Sequence, residues 1–163
     1  MKAVILSIQP KWCKLIASGR KTVAVCKKAP HEVPFKTYIT WERSDKVIGE
    51  FICNTEAQFL VESEEEIARL AGLRQKEFIK YFSGKKYGFG LHISDLVIYD
   101  KPKEISEFSY PCKKDLPKAS EQCKGCKYAF KGTISGEIYC DRTILTAPQS
   151  WCYCEELDEK QHT

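Results

Sequence analysis

Residues 109–136 constrain this chain more than any other stretch, because they lack the means to fold by burial. They are rich in Lys, Cys and Gly and poor in aliphatic side chains. A segment that sequesters little apolar surface cannot offset the entropy lost in ordering its backbone. Something other than a hydrophobic core must hold it. Cys112, Cys123, Cys126 and Cys140 follow the spacing C-x10-C-x2-C-x13-C. Two residues between Cys123 and Cys126, with Gly125 allowing a tight turn, let both sulfurs face one ion. Zinc takes four ligands in a tetrahedron and suits thiolates at about 2.3 Å. Four protein ligands leave no open position. The expectation is therefore one structural zinc per chain, held by Cys112, Cys123, Cys126 and Cys140. Three alternatives stand beside it. The cysteines could be small core residues, or Cys123 and Cys126 a redox pair, or Cys152 or Cys154 could replace a ligand.

The rest of the chain reads as an ordinary globular domain. Its 163 residues are 43% hydrophobic and 29% charged, which excludes a disordered protein. That length suits one domain over 1–163, with an insertion at about 109–140 and a polar tail at 156–163. No apolar run approaches the roughly 20 residues that span a bilayer. The early run Ala3-Val4-Ile5-Leu6 lacks a following cleavage pattern. A cytoplasmic protein without a membrane partner is expected. Nine cysteines cannot all pair within one chain, and a reducing compartment disfavours disulfides anyway.

Residues 2–8 read as a strand. Pro10 then suits the first position of a helix whose apolar face is Trp12, Leu15 and Ile16, with Gly19 as its C-terminal cap. Residues 22–26 predict a short strand with one buried face, and 35–41 and 46–53 two more strands joined by a polar turn. Ser63-Glu64-Glu65-Glu66 reads as a capping box opening a helix that Gly72 interrupts. Residues 74–82 resume it, with Phe78, Ile79 and Phe82 on one side. Strands are predicted at 87–93, 96–99, 138–145 and 151–155. In the last of these, Cys152 and Cys154 face one way and Trp151 and Tyr153 the other. Helices alternate too rarely with strands for a doubly wound sheet. The fold class is α+β: a small β-barrel with helices packed outside.

The net charge of +4 hides an asymmetry. Residues 1–36 carry Lys2, Lys11, Lys14, Arg20, Lys21, Lys27, Lys28 and Lys36 against Glu32 alone, a net of +7. Residues 150–163 net −3. Clustered cations neutralise phosphates and release counterions, and Trp12, Trp41 and Tyr38 could stack on unpaired bases. The competing reading of the same residues is a solvated charged face.

Ser18-Gly19-Arg20-Lys21-Thr22-Val23, placed after a strand–helix unit, resembles the signature of the ASCH domain family. Leu6-Ser7-Ile8-Gln9-Pro10-Lys11-Trp12, Val47-Ile48-Gly49-Glu50-Phe51 and Gly90-Leu91-His92-Ile93-Ser94-Asp95-Leu96 fit the same pattern. Ile98-Tyr99-Asp100-Lys101-Pro102 and Pro148-Gln149-Ser150-Trp151-Cys152-Tyr153 look like the small bacterial and phage-type branch, which similarly carries a cysteine-rich insertion. The resemblance implies a PUA-like β-barrel associated with RNA, here with a zinc-ribbon-like insertion. It also implies a cleft beside the Gly-Arg-Lys-Thr turn. Gly19-Arg20-Lys21-Thr22 is not a phosphate-cradling P-loop, which needs Gly directly before the Lys.

Some members of the family are amidohydrolases on acetylated cytidine. They use a Lys matching Lys21, a Thr two residues beyond Thr22, and a downstream Glu. Here the Thr position is Ala24, which has no hydroxyl to activate. Two functions follow. The first is an RNA- or nucleotide-binding module using Lys11, Trp12, Lys14, Arg20, Lys21, Thr22, Lys27 and Lys28. The second is a hydrolase on a modified nucleoside or RNA, of amidohydrolase or ribonuclease type, with Lys21 and Glu50 as catalytic candidates; the missing Thr argues against a Thr-dependent amidohydrolase. A third reading gives the cysteine-rich insertion a protein partner.

Overall fold

In the computed structural model, residues 1–156 are described. The strand β1 (Lys2–Ile8) is buried at Val4, Ile5 and Leu6 on both faces, so it must lie inside a sheet. It pairs in parallel with β3 (Phe35–Trp41), which pairs antiparallel with β4 (Lys46–Cys53). In β4 the burial alternates strictly, as a strand with one face on a core requires. A short strand, β2 (Val23–Cys26), separates β1 from β3 in the chain but belongs to a second sheet. There it joins β5 (Glu56–Leu60) through β6 (Tyr87–His92), in the order β2-β6-β5.

The large sheet is completed by β7 (Ser94–Glu104), β8 (Phe108–Ser109) and β11 (Trp151–Glu156), in the order β7-β4-β3-β1-β11-β8. No hydrogen-bonded ladder among the described residues joins the two sheets, so the expected barrel is a half-barrel. Between them lies the main core, built from Leu6, Ile16, Ala24, Phe35, Phe51 and Leu91. Behind the small sheet, α2 (Glu65–Leu70) and α3 (Gln75–Tyr81) pack Ile67, Phe78 and Phe82 against Val23 and Phe59. Both faces of β2 are therefore covered, not one as expected. Behind the large sheet, Ile105, Phe108 and Ile144 cover Ile5, Tyr38 and Cys154.

Several expectations need correcting. The α2 helix starts at Glu65, its N-cap is Glu64, and no side chain caps it, so the Ser63 capping box does not form. Ile79 is 47% exposed, because Phe78 and Phe82, four residues apart, already fill the helix's contact with the sheet. The strand expected at 138–145 shrinks to β10 (Ile138–Cys140), which pairs only with β9 (Ala129–Lys131). Of the tail expected at 156–163, Glu156 instead ends β11 and accepts from the Tyr38 hydroxyl at 2.8 Å, while 157–163 lie outside the described residues.

Candidate nucleic-acid interface

The helix α1 (Pro10–Ala17) begins at Pro10 and ends in Gly19, whose φ of +74° is the left-handed conformation that stops a helix. The amides of Arg20 and Lys21 both return to the Leu15 carbonyl, fixing the turn. This throws the Lys21 side chain inward, where it is only 4% exposed. Its Nζ donates to the Ala71 carbonyl at the end of α2, at 2.6 Å, and lies 5.5 Å from the Trp12 ring centroid. No carboxylate pairs with it among the described residues. Burial lowers its pKa to about 8, opposed by the neighbouring Cys13 thiol.

Lys21 lines a cavity of about 890 Å3 between α1, β2, α3 and the start of β11. Lys11, Trp12, Lys27 and Lys28, all expected from sequence, line it too. Lys14, Arg20 and Thr22 do not; Thr22 is instead held by its backbone between Leu70 and Ile93. Sequence reasoning missed the opposite wall. Glu77, Lys80 and Tyr81 share one face of α3 at i, i+3 and i+4, and Lys85 follows them. That spacing was a usable signal. Trp151 arrives from the far end of the chain, its Nε1 donating to the Lys28 carbonyl at 2.8 Å. Lys27 reaches across to within 5.2 Å of the Tyr81 ring. The cleft thus combines a lysine-rich rim with three aromatic walls.

Neither Ala24 nor Cys26 supplies a nucleophile to this cavity. Both are buried, and burial pushes the Cys26 thiol up to about 12, helped by Glu56 and Cys53. Glu50 does not meet Lys21. It lines a separate hollow on the large sheet, bridged to Lys36 at 2.9 Å and accepting from the Tyr99 hydroxyl. Burial works to raise the Glu50 carboxyl, but Tyr99 and Lys36 outweigh it and hold the pKa below the ordinary value. The acids that do line the Lys21 cleft are Glu42 and Glu77.

Of the predicted metal ligands, Cys123 and Cys126 share one tight turn. The Cys126 amide donates to the Cys123 carbonyl at 2.9 Å, closing the tight turn expected of the pair. Burial raises the Cys140 thiol, Arg142 opposes, and Cys126 and Cys123 raise it further. The Cys112 thiol is held low by backbone amides of Leu116 and Lys114, with Arg142 nearby. No three His, Cys, Asp or Glu side chains are gathered tightly enough to hold an ion among the described residues. The donor set still fits zinc chemically: four thiols, one already lowered, in a segment with almost no core. Cys152 and Cys154 fit worse, since burial pushes both thiols up inside the sheet.

Among the described residues, a half-barrel of mixed sheet carries three α-helices and a lysine-lined cleft beside the first, a small α+β architecture. Solved structures of the ASCH protein of Zymomonas mobilis share it. That protein and two variants, one serine-to-alanine and one tyrosine-to-phenylalanine, match over 98% of this chain at 20% identity. The TM-scores are 0.61 to 0.62, and the match covers 90 to 93% of their chains. What is shared at that identity is the fold. No protein-family model matches the chain, and no curated protein matches it.

Proposed function

We propose that this chain is an ASCH-type module that binds RNA or a nucleotide in the Lys21 cleft. One observation carries the reading: a buried ammonium without a carboxylate partner among the described residues, set in a lysine-rich, aromatic-walled cavity. Burying a charge is costly unless it is matched, and a phosphate is the partner this cavity suits. Trp12, Tyr81 and Trp151 offer flat surfaces to an unpaired base. The ASCH likeness of the fold supports RNA over other polyanions. Affinity for single-stranded RNA should fall steeply with added salt. Removing Lys27, Lys28, Lys80 or Lys85 should each lower the salt slope by about one. Salt-independent binding would reject the reading.

Hydrolysis keeps one supporting observation, since a lysine titrating near pH 8 can move a proton at neutral pH. Its assisting acid would be Glu42 or Glu77 rather than Glu50. Release of free acetate from acetylated cytidine, lost in Lys21→Met, would favour it over simple binding. For residues 110–143 we propose one structural zinc on Cys112, Cys123, Cys126 and Cys140. Metal analysis should find about one zinc per chain. Cys123 and Cys126 alkylating freely in metal-reconstituted protein would count against it.

A further inference from the structure

The β9–β10 hairpin has two unlike faces. Register places Ala129 opposite Cys140, on the side of the cysteine turn, and Phe130 opposite Tyr139 on the other side. Phe130 is 55% exposed and Tyr139 41%, yet neither is loose. Their rings stack at 5.6 Å between centroids, tilted by 23°. The Tyr139 ring lies over Gly132, where a Cβ would come within 2.8 Å of it. The Tyr139 hydroxyl donates to Glu137 at 3.1 Å and lies 3.2 Å from the Ser135 hydroxyl. A solvent-facing aromatic pair fixed from below and at its edge loses little freedom when it binds.

The surroundings select the occupant. Lys124 and Lys127 are exposed in the turn that leads into β9, and neither pairs with a carboxylate among the described residues, whereas Lys131 faces the other side of the hairpin from Phe130. Of the four acids in residues 110–143, Asp115, Glu121, Glu137 and Asp141, Glu137 is engaged by the Tyr139 hydroxyl and Asp141 by the Thr143 amide. Aromatic faces among unpaired lysines match a strand that offers bases and phosphates together. A protein-docking surface would draw more on aliphatic contact, and Ile134 is the one strongly exposed aliphatic here.

We infer that the Phe130–Tyr139 face is a second contact for single-stranded RNA, separate from the Lys21 cleft. One base stacks on the exposed ring pair while the lysines hold flanking phosphates. This site does not require the cleft to bind, and the experiment separates the two. The full-length protein is titrated with a mononucleotide and with single-stranded RNA long enough to span both sites. In Phe130→Ala/Tyr139→Ala, the long RNA should bind roughly tenfold to a hundredfold more weakly, with mononucleotide affinity unchanged. In Lys21→Met the mononucleotide should be lost, while long RNA keeps a component that depends on Phe130. Because Trp12 and Trp151 already line the cleft, the readout is the difference from wild type: Phe130→Trp should show additional quenching by RNA, and should keep it in the Lys21→Met background, which a purely structural role would not produce. Unchanged long-RNA affinity in the double variant, or no additional quenching, overturns the inference. Loss of mononucleotide binding in the double variant would do so as well. A protein captured by wild type in competition with RNA, with no additional quenching by RNA, would assign the face to a protein instead.

Discussion

In β4, eight residues long, four are buried; between residues 110 and 143, only Cys123 is. The half-barrel stands on phenylalanines and branched aliphatics packed from both sides of two sheets. Each such side chain contributes roughly 2–3 kcal/mol by leaving water. The cysteine segment has no comparable reserve, yet it carries a paired hairpin, two aromatic stacks and a closed Cys123–Cys126 turn. The contrast teaches that one chain can order its parts by different means. It also separates roles: the core positions a cleft, while the segment displays exposed groups.

Removing metal should break that contrast most visibly. Chelation should raise amide exchange across residues 110–143 by orders of magnitude, since structural zinc supplies on the order of 10 kcal/mol. Exchange in β1 and β3 should hardly change. Unaltered exchange in the cysteine segment would mean that its ordering is not metal-dependent. Next in size is Phe51→Ala, which should cost about 3–5 kcal/mol in global unfolding because Phe51 is fully buried between the sheets. Phe130→Ala, on the exposed hairpin, should leave the same transition within about 0.5 kcal/mol. Similar losses from both would erase the distinction.

A smaller effect follows from Lys21. Its folded pKa of about 8 lies below the ordinary 10.5, so between those values the unfolded chain binds the extra proton. Stability should therefore rise with pH through that window, by about 3 kcal/mol in total. RNA affinity should move the other way, falling as pH rises through about 8 and the ammonium is lost. Lys21→Arg, charged throughout, should flatten both profiles. Parallel pH trends in stability and affinity would contradict this assignment.

Much of the half-barrel was legible. The bounds of β1, β3 and β4 follow from apolar alternation and flanking turns. β5 was not legible, because Phe59 is its only buried residue and no alternation marks it. β7 runs on past the expected 96–99 through Pro102, which an edge strand tolerates because its outer amides need no partner. The cleft was half legible. Lys11, Trp12, Lys21, Lys27 and Lys28 come from one local stretch, whereas Trp151 and Lys85 join them only through tertiary packing. Arg20 looked equivalent to Lys21, but the turn after Gly19 sends Lys21 inward and leaves Arg20 outside.

The proposed function requires that a phosphate match the buried Lys21 ammonium. The most direct measurement is the affinity of wild type, Lys21→Met and Lys21→Arg for one single-stranded RNA across a salt series near pH 7. Lys21→Met should bind at least tenfold more weakly with a shallower salt slope, while Lys21→Arg should retain most of the binding. Equal affinity and slope in wild type and Lys21→Met would contradict that requirement.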